Sequence, residues 1–427
     1  MFRVMALASL IALAGCHRQA NAPGDAPSNL KVDPGEGLVT VSWDQLPGLT
    51  YWIFFQAGST VTAADPGVPL IFDVQSPRVV VGLANGVQYA FVMNATDKDS
   101  PGGPSTPVLT AVPRLAGASW TSGAPLGSPP QNLNGVAFGA ALNRIVAVGD
   151  SGTLLAGDLN YTSTSPPGVT AWTQATSIPT GFASDLSSVA SSGSQFIALG
   201  TDGSVVTSTD GNTWTAAASI PNGGTRMNSL AFGLVSSGAT YVAVGNGGNI
   251  LTSTDLMTWT PAASNTTSDL YSVSFPKDTF VATGANGTLL TSPDASIWTV
   301  VQNVPTSSAL RGATYGTGSA AGASAQYVVV GDSGTIVTST NLTNWSLITP
   351  APLPQDLRAI RFGTRFVAVG QEVVVGQGGA VAYSDDAINW SLSTFPPGSP
   401  APDLASIIFT PGMYLAVGAS GANAVSK

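Results

Sequence analysis

The side chains that do chemistry are scarce in this chain, and the scarcity is informative. His17 is the one histidine, Cys16 the one cysteine, and Glu36 and Glu372 are the two glutamates. Ser-His-Asp and Cys-His nucleophiles need a histidine to carry the proton, and zinc sites draw on imidazole and thiolate, so these chemistries lack their residues. No phosphate-binding glycine loop or dinucleotide fingerprint occurs; the glycine pairs recur where hairpins turn. Aspartate remains as a source of acid–base chemistry. A two-aspartate glycosidase is the alternative reading, although no aspartate pair stands apart from the turns. Arginine remains as a source of recognition. Arg311 and Arg358 hold the same place in two successive repeats, Tyr271 holds it one repeat earlier, and Arg226 is close by. A guanidinium cluster of this kind suits a carboxylate, a phosphate or an acidic peptide terminus. The sequence therefore assigns ligand binding to Arg226, Tyr271, Arg311 and Arg358, and assigns no catalytic residue, metal or cofactor.

Repeats marked by tryptophan must hold those residues. Trp120, Trp172, Trp214, Trp259, Trp298, Trp345 and Trp390 stand 52, 42, 45, 39, 47 and 45 residues apart, the length of one four-stranded propeller blade. Each repeat offers an innermost strand of the form Leu-x-Ser-Val-x-Phe, a second such as Tyr241-Val-Ala-Val-Gly245, a third such as Thr335-Ile-Val-Thr-Ser339, and an outer strand around Trp-Thr. Innermost strands are expected to start at Leu133, Leu186, Met227, Leu270, Leu310, Leu357 and Leu404. Ser119-Trp120-Thr121 is an outer strand with no inner ones before it, and residues 404–425 supply inner strands with no outer one. Their pairing is predicted to complete a seventh blade and close the ring. Insertions fall at residues 159–170 and 371–376. The residue after each innermost start reads Asn134, Ser187, Asn228, Tyr271, Arg311, Arg358 and Ala405, and a ring would gather these at one mouth of its channel. Asp185, Asp269, Asp356 and Asp403 stand one residue before their starts and offer the arginines structural partners, a reading that outweighs ligand contact. Arg361 falls mid-strand where other repeats carry Ala137, Ala190, Ala231 or Ser274, so it is expected to be buried against a carboxylate.

The turns before the tryptophans read Ser208-Thr-Asp-Gly-Asn-Thr-Trp214, Ser253-Thr-Asp-Leu-Met-Thr-Trp259, Ser292-Pro-Asp-Ala-Ser-Ile-Trp298, Ser339-Thr-Asn-Leu-Thr-Asn-Trp345 and Ser384-Asp-Asp-Ala-Ile-Asn-Trp390. One residue short, they resemble the Asp-box repeats of sialidase-type propellers and the related repeats of photosystem II assembly-factor propellers. The Asp or Asn is expected to accept backbone N–H groups in the turn and the Trp to cap the gap between blades, which gives Asp210, Asp255 and Asp294 structural roles. The sialidase resemblance implies an arginine triad, a Tyr–Glu nucleophile pair and an acid Asp. Here the usual Arg-Ile-Pro segment is missing and Glu372 is the one candidate partner for a tyrosine, so binding is preferred to hydrolysis. The assembly-factor resemblance implies protein binding.

Composition supports an all-β chain: 44% hydrophobic, 9% charged, with 49 Gly and 30 Pro to supply turns. A net charge of −9 leaves no basic surface for nucleic acid. Arg3 precedes an apolar run over residues 4–13, a secretory leader too short for a stable membrane span. Leu13-Ala14-Gly15-Cys16 resembles a bacterial lipobox, which implies cleavage before Cys16, diacylglyceryl attachment to its sulfur and retention at a membrane. His17 rather than Asp in the next place implies the outer membrane. Residues 28–113 resemble a fibronectin type III sandwich. Leu38-Val-Thr-Val-Ser-Trp-Asp44 fits its second strand with Trp43 inward, Thr50-Tyr-Trp-Ile-Phe-Phe55 its third, and Leu83-Ala-Asn-Gly-Val-Gln-Tyr89 its tyrosine corner. The module implies a spacer. The expected organisation is a leader at 1–15, a lipidated Cys16 and tether at 16–27, the sandwich at 28–113, and a closed seven-bladed propeller at 114–427. Such a chain would be a monomer in the bacterial envelope that binds an envelope protein, an anionic ligand or a glycan without catalysis.

Overall fold

The computed structural model describes residues 23–427 apart from 66, 98–101, 163–164, 181, 372–378 and 400. Cys16, His17 and Glu372 lie outside the described residues. The chain divides into two compact units, Met1–Leu115 with Asn160–Gly168, and Ala116–Leu159 with Val169–Lys427.

The first unit contains β1 (Lys31–Gly35), β2 (Leu38–Ser42), β3 (Thr50–Ala57), β4 (Leu70–Phe72), β5 (Arg78–Val81), β6 (Tyr89–Thr96) and β7 (Leu109–Ala111). They form two antiparallel sheets, in the orders β1-β2-β5 and β4-β3-β6-β7. Alternation along the strands sends Val39, Val41 and Val80 from one sheet and Tyr51, Ile53, Phe91 and Met93 from the other into one core. Trp43 is buried there against Tyr51. The Tyr89 hydroxyl accepts the Ala84 N–H at 3.1 Å, tying the strand back to the turn before it.

Among the described residues the second unit forms seven antiparallel sheets, and their innermost strands start at or within one residue of the seven expected places. The second strands are buried along both faces, as Val242, Ala243 and Val244 are, because a sheet packs on each side. This two-sided burial is why they read as unbroken apolar runs rather than as an alternation. Six of the seven second strands end in a glycine, and the other carries Gly370 one residue before its end; at most of these glycines backbones close up. A Cβ at Gly331 would lie 2.1 Å from the Ala309 carbonyl oxygen, and one at Gly370 would lie 1.9 Å from that of Asp356.

Tryptophans fill the spaces between sheets. Trp214 packs with Val146 and Ala156 of the sheet before it, and Trp298 with Val242 and Val244. Strand β8 (Thr121–Ser122) pairs with the last strand, Asn423–Ser426, through Val425↔Thr121 and Ala424↔Ser122. The first and last sheets share a core in which Leu133 and Ile145 meet Ile408 and Leu415. The Ser406 hydroxyl accepts the Val136 N–H at 3.2 Å, as Ser188 does from Leu230 between inner strands of the middle sheets.

Candidate functional site

A register shift decides where the site lies. In each innermost strand the ladder skips the residue after the first apolar one, as between Leu310 and Gly312 or Leu357 and Ala359. A bulge of this kind frees a side chain from the sheet's own packing and re-aims it. The bulged residues Tyr271, Arg311 and Arg358 line one cavity of about 410 Å³ together with Asn134, Ser187, Asn228 and Ala405. Arg226 lines it too, so all four residues assigned from the sequence come together. Asn246, Asp269 and Gln371 complete the wall.

The three arginines differ in what they have left to offer. Arg311 donates from Nε and Nη2 to the two carboxylate oxygens of Asp332, at 2.8 and 2.9 Å. Its guanidinium lies 4.4 Å from the centre of the Tyr271 ring, a cation–π contact. Burial acts to lower the Arg311 pKa, but the hydrogen bond and charge of Asp332 outweigh it and raise it. Arg358 donates from Nη2 to Asp356 at 3.3 Å, and its Nε is buried with no partner among the described residues. Arg226 is exposed, donates from Nε to the Asn228 Oδ1 at 3.2 Å, and has no ion pair among the described residues.

Two expectations need correction. The aspartate just before an innermost strand pairs with the arginine of its own sheet for Asp356 alone. Asp185 and Asp269 instead accept the backbone N–H of Ser151 and Gly247, each at 2.8 Å, and Asp356 also accepts that of Ser333. Those donors lie in the turn after the second strand of the preceding sheet, where Ser151, Gly247 and Ser333 have φ of +54°, +67° and +55°. The left-handed backbone aims the N–H at the carboxylate. Arg361 is exposed and has no carboxylate partner among the described residues. Its long side chain reaches solvent where an alanine would be enclosed.

Asp332, Asn246 and Gln371 escaped sequence reasoning. Asp332 and Asn246 each open the turn that follows a second strand, Gly-Asp-Ser-Gly and Gly-Asn-Gly-Gly. That first turn residue faces the bulged residue of the same sheet: Asn134 bonds Asp150, Asn228 bonds Asn246, and Arg311 bonds Asp332. The paired variation was visible in the repeats.

The tryptophan turns are occupied by their own backbone. Asp210 accepts the N–H groups of Asn212 and Thr213 at 2.8 and 2.7 Å, and Asp294 those of Ser296 and Ile297 at 2.9 and 3.0 Å. Burial acts to raise the Asp210 pKa, but these bonds hold it at about 2; they hold Asp294 at about 2 as well. Asp255 and Asp386 make the same bonds. A carboxylate so saturated is a poor proton donor near neutrality. Among the described residues no group of three or more His, Cys, Asp or Glu could hold a metal ion.

No family model and no curated protein matches the chain. Solved structures do. YCF48 from Cyanidioschyzon merolae is 19% identical, with a TM-score of 0.50 over 72% of this chain and 98% of that one. YCF48 bound to D1 peptide is 17% identical, with a TM-score of 0.54 over 72% of this chain and 96% of that one. The fold is a β-propeller. Identity this low carries the propeller architecture and nothing about a ligand.

Proposed function

We propose that this propeller is a non-catalytic docking module that takes up a protein segment at the polar mouth. The observation that carries the reading is convergence: one bulged residue from each of seven sheets, with Arg226, meets in a single cavity. Structural demands explain the repeat, yet they do not explain why Tyr271, Arg311 and Arg358 replace small or amide residues on one side of it. A likeness in fold to YCF48, solved bound to D1 peptide, supports a peptide as occupant. The finer architecture belongs to the same proposal. The seven sheets are blades of a ring closed by β8, a reading supported by the β8 pairing and by the core shared between first and last sheets. The first unit is a fibronectin type III spacer, supported by its three- and four-stranded sheets and the Tyr89 bond. Lipidation of Cys16 holds the chain in the bacterial envelope, supported by the leader and the tetrad around Cys16.

The test places a photo-crosslinking residue at Ser187, in the mouth, or at Ile297, in a hairpin at the far ends of the strands, in native envelopes. The expected result is a protein adduct from position 187 that is lost on Arg226→Glu. An adduct from position 297 alone, or a mouth adduct indifferent to Arg226→Glu, refutes docking at the mouth. Labelling with an alkyne fatty acid should be abolished by Cys16→Ser; retention of the label would refute the anchor.

A further inference from the structure

We infer that the mouth selects a segment carrying one carboxylate among neutral residues, and that Arg226 alone receives that carboxylate; the inference rests on the docking reading above. A guanidinium has five N–H donors, and recognition depends on which remain free. Arg311 has given Nε and Nη2 to Asp332 and its face to Tyr271. Arg358 has given a single Nη2 bond to Asp356, but that carboxylate offsets its charge, and its Nε is buried away from the cavity's solvent. Arg226 has given only Nε, to an uncharged acceptor. That acceptor is itself fixed, because Asn228 donates from Nδ2 to Asn246 at 2.8 Å and to the Leu270 carbonyl at 2.8 Å. Arg226 is thus oriented from behind, and among the described residues neither terminal nitrogen has a partner, which leaves both for end-on, two-pronged pairing with a carboxylate.

Charge balance sets the specificity. Arg226, Arg311 and Arg358 face Asp269, Asp332 and Asp356, with Asp150 bonded behind Asn134, so the wall with its partners carries no excess of positive charge. Such a mouth does not gather polyanions as an unbalanced basic cleft does. A second negative charge meets neutralised arginines and Asp269. Apart from Tyr271 and Ala405, the remaining wall, Asn134, Ser187, Asn228, Asn246 and Gln371, is amide and hydroxyl, suited to the backbone and neutral side chains of a peptide.

The full chain is titrated, by nuclear magnetic resonance, with a capped Ser-Gly-Asp-Gly-Ser peptide, its Asn counterpart, a three-aspartate version and a phosphoserine version. The Asp peptide is expected to bind about ten- to a hundred-fold tighter than the Asn peptide, the range of a charge-assisted bond. Arg226→Gln should erase that preference and Arg226→Lys retain part of it, while the three-aspartate and phosphoserine peptides gain no more than about three-fold. Equal binding of Asp and Asn peptides, a preference that survives Arg226→Gln, or ten-fold tighter binding of either polyanion overturns the inference. Arg226 is exposed, so an unchanged melting temperature is the check that the variants are folded. If the inference fails while the crosslink at position 187 still depends on Arg226, docking stands with different chemistry. If that crosslink also fails, docking itself falls.

Discussion

Arg311 is the residue on which two roles compete, and a double-mutant cycle with Asp332 separates them. Fully exposed ion pairs contribute about 0–1 kcal/mol, while removing one partner of a fully buried pair costs about 3–5 kcal/mol. Here the side chains are 22% and 27% exposed and the contact is two-pronged, which places the loss between those limits, near 2 kcal/mol. The Tyr271 face adds about 0.5–1 kcal/mol to what Arg311 contributes. Arg311→Ala should therefore destabilise the propeller by about 2–3 kcal/mol and Asp332→Ala by about 2 kcal/mol, with the double variant little worse than Arg311→Ala alone. The resulting coupling is about 1.5 kcal/mol. Urea unfolding provides the readout, as a shift in midpoint at constant slope. Arg226→Gln is the contrast and should cost under about 0.5 kcal/mol. Additive losses from Arg311→Ala and Asp332→Ala, with coupling below about 0.3 kcal/mol, would refute the structural pairing and return Arg311 to the list of free ligand contacts.

Other consequences follow from the same geometry. The Asp294 carboxyl, held at about 2 by the Ile297 and Ser296 N–H groups, lies below its ordinary 3.8 in the folded state. Its stabilisation is then present above the unfolded value and lost as pH falls through the folded one. The stability difference between wild type and Asp294→Asn should be constant above about pH 5 and shrink between about pH 4 and 2 in a pH series of urea unfolding, whereas a difference that is flat across that window would contradict the turn assignment. Gly316→Ala puts a methyl 2.2 Å from the Phe362 ring, which can tilt, and should cost about 1–3 kcal/mol, partly rescued by Phe362→Leu. Gly331→Ala puts one 2.1 Å from a backbone oxygen that cannot yield, so its loss should exceed that of Gly316→Ala in the same assay. The reverse order would mean the turns after the second strands are softer than they look.

The sequence made the strands legible because each is fixed by a local rule. The apolar residue that starts an innermost strand is wholly buried at Leu133, Leu186, Leu270, Leu310, Leu357 and Leu404, so its periodicity survives in every repeat. The clustering of Tyr271, Arg311 and Arg358 was legible for the same reason, since equal places in a repeat become neighbours around a common axis, and Arg226 joins them from two residues before the equal place in its own repeat. Asp356 as the partner of Arg358 was legible from its place beside the strand start, but Asp332 as the partner of Arg311 was not, because that pair depends on a bulge that shifts the ladder by one residue and on a turn that lies 21 residues away from Arg311 in sequence. Arg361 shows the other limit. Its place in the repeat predicts enclosure, but a side chain of its length need not stay where an alanine would.

Departures from the repeat carry more about function than the repeat does. Asn134 and Asn228 each do two jobs at the bulge. They bond the turn of their own sheet, through Asp150 and Asn246, and they donate to the Leu186 or Leu270 carbonyl of the next sheet. The second bond ties neighbouring sheets, and an asparagine at all seven places would supply that tie throughout. Arg311 keeps the first bond, to Asp332, and its guanidinium is turned onto Tyr271. Tyr271 presents a ring, Arg358 bonds the aspartate two residues before it, and Ala405 has no polar group. A tie between sheets is worth about 1 kcal/mol; Ser187, which donates to Leu199 of its own sheet, and Ala405 lack it as well, but charge and an aromatic face stand in its place only at Tyr271, Arg311 and Arg358. Local consistency gives way at a site that is kept for something other than folding. In the docking reading proposed above the mouth fits that description, and Arg226, oriented by the very asparagine that does keep its tie, sits at the boundary between the structural side and the side that would take the ligand.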